Sequence, residues 1–142
     1  MKKIRRHARA FTLTAALLGA FLAPNIASAQ SQLAVAEART FLGTWVLALT
    51  SDMGSFNMNL EVTDMGGKVA ASIGAPEMGP MQDVTDITKD GEILVLSFAG
   101  NAQGQSFEAV VTLEPAGEEL TVWFDINQGT FGMGGTGTKS AN

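Results

Sequence analysis

The chain of 142 residues has no cysteine, no tyrosine and one histidine, His7. From Gln30 onward it therefore carries neither imidazole nor thiol. That excludes Ser-His-Asp and Cys-His nucleophilic chemistry, and any histidine- or thiolate-ligated metal site, from that span. Without disulfides, the core has to rest on buried apolar area. Cations are scarce too. There are nine Lys and Arg against fourteen Asp and Glu, and Lys2, Lys3, Arg5, Arg6 and Arg9 all precede residue 30. The remainder keeps four cations (Arg39, Lys68, Lys89 and Lys139) against all fourteen acids, a net charge of 4 − 14 = −10. A chain this acidic does not bind nucleic acid by neutralising phosphates, and anionic lipid surfaces repel it.

What is present at the start is a basic segment, then an apolar run from Phe11 to Ala23, then Ala27-Ser28-Ala29. This order predicts a signal peptide over residues 1–29, cut after Ala29 and taking the general secretory route. The apolar run is too short to span a bilayer, so no membrane insertion is expected after cleavage. Periplasmic or secreted localisation follows as an expectation. Residues 30–142 then form one domain, long enough to bury a core without staples.

From Trp45 onward the apolar period is two. In SFNMNLEVT, Phe56, Met58, Leu60 and Val62 share one face. Val69, Ala71 and Ile73 do the same, as do Leu94, Leu96 and Phe98; then Phe107, Ala109, Val111 and Leu113; then Leu120, Val122, Phe124 and Ile126; and last Phe131 and Met133. In MQDVTDIT, Val84 and Ile87 are out of phase, which a bulge would reconcile. Turn-forming clusters separate the runs: SDMG, DMGG, GAPEMGP, KDGE, GNAQGQ, PAGE and NQG. Eight strands joined by seven short hairpins predict an all-β, antiparallel, up-and-down barrel, closed so that no edge is left exposed; a two-sheet sandwich is the rival. Ser31 to Thr40 predict a short helix leading into the first strand.

Gly43-Thr44-Trp45 at the head of the first strand, with Lys139 ending the last, resembles the Gly-x-Trp motif and late basic residue of lipocalins and their calycin relatives, and in particular the compact bacterial exported domains of this type. The resemblance implies that Trp45 packs across a closed barrel end with Lys139 over its ring. It covers the whole of residues 30–142 in layout, although the chain is shorter than typical lipocalins and uses Lys where Arg is more usual. The first and last strands of such a barrel are antiparallel neighbours, so Trp45 and Lys139 fall at the same end, where a cation–π contact is favourable.

Hairpin order puts the turns at Ser51–Gly54, Gly74–Pro80, Gly100–Gln105 and Asn127–Gly129 at the opposite end. A mouth there would be lined by Leu49, Phe56, Met58, Ile73, Phe98, Phe107, Ile126, Phe131 and Met133, with Met53, Met78 and Met81 as cover. These are apolar, so the predicted ligand is a fatty acyl chain, an isoprenoid or a small aromatic; a polar ligand would need inward polar groups that the strand phases do not offer. The alternative is a barrel filled by its own side chains, acting as a protein-interaction or inhibitor-like module.

Four Met-Gly pairs recur, but without His or Cys they read as adaptable gap-fillers rather than a copper site. Asp83, Asp86, Asp90 and Glu92 do not follow a calcium-loop spacing and read as turn and solvent-facing charge. Glu108 and Asp125 fall on the outer face, which argues against a carboxylate-pair enzyme. No enzyme, cofactor or metal is expected. Trp123 also faces outward and is the candidate centre of a homodimer or partner patch.

Overall fold

The computed structural model describes residues 31–141. The predicted signal peptide lies outside the described residues. One antiparallel sheet of nine strands makes the domain: β1 Gly43–Ser51, β2 Gly54–Met65, β3 Lys68–Gly74, β4 Gln82–Asp83, β5 Asp86–Asp90, β6 Ile93–Ala102, β7 Gln105–Ala116, β8 Glu119–Ile126 and β9 Phe131–Lys139. Their order across the sheet is β4-β3-β2-β1-β9-β8-β7-β6-β5, an up-and-down path in which the first long strand pairs with the last.

The expected count of eight is corrected to nine, and the reason is local. The segment that was out of phase is two short strands. β4 pairs with β3, β5 pairs with β6, and only Val84 and Thr85 lie between them. Val84 still donates its N–H to Ala71 O at 2.9 Å, while Thr85 Oγ1 donates to Ser97 O at 3.1 Å. The two residues thus hand the chain from one edge of the curled sheet to the other. Val84 and Ile87 are both buried although three apart, because the break between them resets the alternation.

The helical lead-in is shorter and tighter than expected, a 3-10 helix over Val35–Phe41 with a kink at Ala38. The segment Ser31 to Phe41 closes one end of the barrel by backbone bonds. Val35 N–H donates to Gly67 O, and Leu33 O accepts from Val69 N–H, each at 3.0 Å. Ser31, buried, donates its Oγ–H to Ile87 O. Ala38 and Phe41 fill the space beneath.

The core takes the inward phase of every long strand. Leu47, Leu49, Leu60, Val62, Val69, Ile73, Leu94, Leu96, Val111, Leu113, Leu120 and Val122 are almost wholly buried. These residues fill the barrel toward the lead-in, except that Leu49 and Ile73 stand toward the opposite end. On β9, Gly137 faces inward with no side chain; a Cβ there would lie 3.0 Å from Leu47 Cδ2 and 3.3 Å from Leu120 Cβ, so the glycine makes room for both.

Candidate functional site

At the filled end, Trp45 is buried and its Nε1–H donates to Phe41 O at 2.8 Å. Trp45 is in register with Lys139, whose Nζ lies 5.4 Å from the centre of the ring. Gly43 has φ +121°, a backbone region that side-chain-bearing residues rarely adopt, and a Cβ there would meet Lys139 Cε at 2.8 Å. The three residues therefore form one unit: the glycine leaves space for the lysine stem, and the stem carries its charge across the indole. A buried indole with its N–H satisfied and its face covered closes the end of the barrel; it leaves no opening there for a ligand.

The other end is hollow. A cavity of about 760 Å³ opens among the β1–β2 turn, β2, the segment 75–78, β7 and the β8–β9 turn. Its apolar lining includes Met53, Phe56, Met58, Met78, Phe107, Phe124, Ile126, Phe131 and Met133. A second lobe of about 350 Å³ adjoins it, sharing Met58, Met78, Phe107 and Phe124, and reaches inward to Ile73 and Phe98. Phe98 meets Phe107 and Phe124 edge-to-face, at 6.3 and 6.1 Å between ring centres, and this aromatic cluster makes the floor.

Of the residues the sequence singled out for this mouth, Met53, Phe56, Met58, Met78, Phe107, Phe131 and Met133 line the larger cavity, and Phe98 the inner lobe. Met53 and Met78 are the most exposed, at 73% and 71%, on the rim. Met81 lines neither space; it sits against Gly74 instead, where a Cβ would come within 3.0 Å of Met81 Cα. Leu49, in register with Phe56, is wholly buried and lines neither lobe.

The lining is less purely apolar than the strand phases suggested. Ser55, Asn57, Glu77, Gln105, Ser106 and Asn127 rim the larger cavity, and Glu77, Gln82, Asn101 and Gln103 border the inner lobe. Glu77, Gln103 and Asn127 come from turns, where periodicity says nothing about direction, whereas Ser55, Asn57, Asn101, Gln105 and Ser106 belong to the strand segments beside the open-end turns. Gln82 lies on β4. It stands two residues before the buried Val84, which follows β4, and both point to the inner side. The open-end turns are held by side chains. Asn127 Oδ1 accepts from Glu108 N–H at 3.0 Å while Asn127 N–H donates to Glu108 O at 2.8 Å, and Asp125 Oδ1 accepts from Gly129 N–H at 2.6 Å.

The Asp125 carboxylate is thus occupied in turn geometry, while Glu108 takes part through its backbone. Among the described residues no group of three or more Asp, Glu, His or Cys is placed to hold a metal ion. Trp123 faces outward, 54% exposed, and its ring lies along β9, where Cβ atoms on Gly132 and Gly134 would meet it at 3.0 and 3.1 Å. The indole covers the glycine backbone of the neighbouring strand.

No protein-family model matches the chain, and no curated protein matches it. Among solved structures it is similar to fatty-acid-binding protein 1 of Echinococcus granulosus, with a TM-score of 0.51 and 15% identity, over 72% of this chain and 99% of that one. Two further structures are similar at lower scores. One is a secretary abundant heat soluble protein from Ramazzottius varieornatus (TM-score 0.42, 12% identity, 71% and 96% covered), and the other a mutant of the fluorescent protein UnaG (TM-score 0.43, 16% identity, 74% and 99% covered). At such identities the likeness is one of fold: a single antiparallel, up-and-down sheet curled on itself with a short helical segment at one end.

Proposed function

We propose that this protein is an exported, non-catalytic carrier of a small apolar molecule, held in the open end of the barrel. The observation that carries the reading is the cavity of about 760 Å³ lined by Phe56, Met58, Phe107, Phe131 and Met133. Its size falls within the roughly 300–1,000 Å³ usual for small-molecule sites. An apolar ligand would be driven in by release of its hydration, on the order of 25 cal/mol for each Å² removed from water, against the cost of association. The methionines suit this role, because an unbranched thioether adapts its shape to what it covers. The fold relative from Echinococcus granulosus is a fatty-acid-binding protein, and the filled-barrel reading leaves a hollow of this size without purpose.

The test is native mass spectrometry of the protein purified from its own exported fraction. A chain beginning at Gln30 with an added mass of a few hundred daltons, absent from the Phe56→Ser, Phe131→Ser double variant, is the expected result. A bare chain that takes up no apolar probe would overturn the carrier reading in favour of an interaction module. Recovery of the uncleaved chain in the cytoplasm would overturn the export reading.

A further inference from the structure

The four cations among the described residues all lie at the filled end. Arg39 belongs to the 3-10 lead-in, Lys68 follows the β2–β3 turn, Lys89 precedes the β5–β6 turn, and Lys139 covers Trp45. None of the residues lining either lobe is Lys or Arg. The charged residue that does line them is Glu77, which borders both. Inside the smaller lobe a second group awaits a donor. Gln82 Oε1 is buried with no hydrogen-bond partner, an arrangement that is costly if nothing fills it. The Glu77 carboxylate and Gln82 Oε1 are both acceptors, and Glu77 offers an anion neither a donor nor a counter-charge.

From this we infer that the carrier takes an apolar molecule with a hydrogen-bond-donating, positively charged head, an amphiphilic amine, and discriminates against fatty carboxylates. The inference rests on the carrier reading. The apolar part lies against Phe107, Phe124 and Met58, and the ammonium head meets Glu77 and donates to Gln82 Oε1. A carboxylate head would enter a site with no counter-charge and stand near Glu77. Like charges a few Å apart repel, and beside the exposed Glu77 the effect on affinity should be on the order of tenfold.

Three ligands with the same chain and different heads separate the possibilities: dodecylamine, dodecanol and dodecanoate, each competed against a neutral apolar fluorophore on residues 30–142. The amine is expected to bind about tenfold more tightly than the alcohol, and the carboxylate more weakly than either. Glu77→Gln should narrow the gap between amine and carboxylate while leaving dodecanol unchanged. Gln82→Leu should weaken amine and alcohol but not carboxylate. Glu118→Gln removes an equal charge from the filled end and should leave the order intact, separating a local site from the attraction of an acidic protein for any cation. If dodecanoate binds as tightly as dodecanol, or if Glu118→Gln acts like Glu77→Gln, the head-group rule is overturned and the carrier reading stands. If no alkyl ligand displaces the fluorophore, and the fluorophore itself does not bind, both fall together.

Discussion

Trp45 shows how much one side chain does here. It contributes buried ring area, one hydrogen bond to Phe41 O, and a face for the Lys139 charge. These contributions separate by substitution. Trp45→Phe keeps most of the ring and strands the Phe41 carbonyl without its donor, so it should cost about 1–3 kcal/mol. Trp45→Ala adds a cavity and should cost about 3–5 kcal/mol. Lys139→Met keeps the stem over the indole and removes only the charge; it should cost no more than about 1 kcal/mol, since the ammonium is exposed. Urea unfolding midpoints of the three variants check the order. A Lys139→Met loss as large as that of Trp45→Ala would mean that the cation, not the indole, holds the end together. None of the three should alter affinity for an apolar probe, because both residues lie at the end opposite the cavity.

At the scale of the element, the strands were legible wherever two signals agreed: an alternation of apolar residues and a turn cluster at each end. Those residues take the inward phase in the structure, from Leu47 through Phe124. Legibility failed where the chain changes partners. Between Met81 and Thr88 no single alternation fits, because Gln82 belongs to a strand on one edge, Val84 only extends that edge by one hydrogen bond to Ala71, and Ile87 belongs to a strand on the other edge. The inward direction of Gln82 was obscured for the same reason, and with it the polar character of the inner lobe. Glu77 was out of reach altogether, since the segment between β3 and β4 has no period to extrapolate. On β6, Gly100 makes the corresponding point about space. A Cβ there would collide with Gln82 Oε1 and with the ring of Phe107, so this strand carries no side chain where the two lining residues cross it. Gly100→Ala should push Phe107 toward the lobe, destabilise the protein by about 1–3 kcal/mol through overpacking, and weaken apolar-probe binding. A variant with the stability loss but unchanged probe affinity would show that Phe107 yields outward and does not set the shape of the site.

For the molecule as a whole, the two ends of the barrel divide stability from function. Stability comes from packed apolar area, and that area is concentrated where Leu47, Leu60, Leu94, Leu113 and Leu120 meet under Trp45 and the lead-in. The open half surrenders some of that packing to a cavity. Its turns include Gln103, Asn127 and Gln128, all with φ between 51° and 57°, a region residues with a side chain enter at some cost. Elements with few buried contacts open locally at lower free energy than the core. Hydrogen exchange should therefore divide the same strands along their length. Amides near Leu47 on β1 and Leu120–Val122 on β8 should exchange only through global unfolding. Those at Phe56–Met58, in the segment 75–81 and at Asn127–Thr130 should exchange faster, through openings that dismantle the mouth. An alkyl ligand at a hundredfold its Kd should slow the mouth amides by the free energy it lends the intact site, about 2.7 kcal/mol. The lead-in from Ser31 to Phe41 lies at the end opposite the cavity, so its exchange should not change. If the ligand instead protected the lead-in and left the mouth untouched, the binding site would have to be sought at the Trp45 end, and the division of labour between the two halves would be reversed.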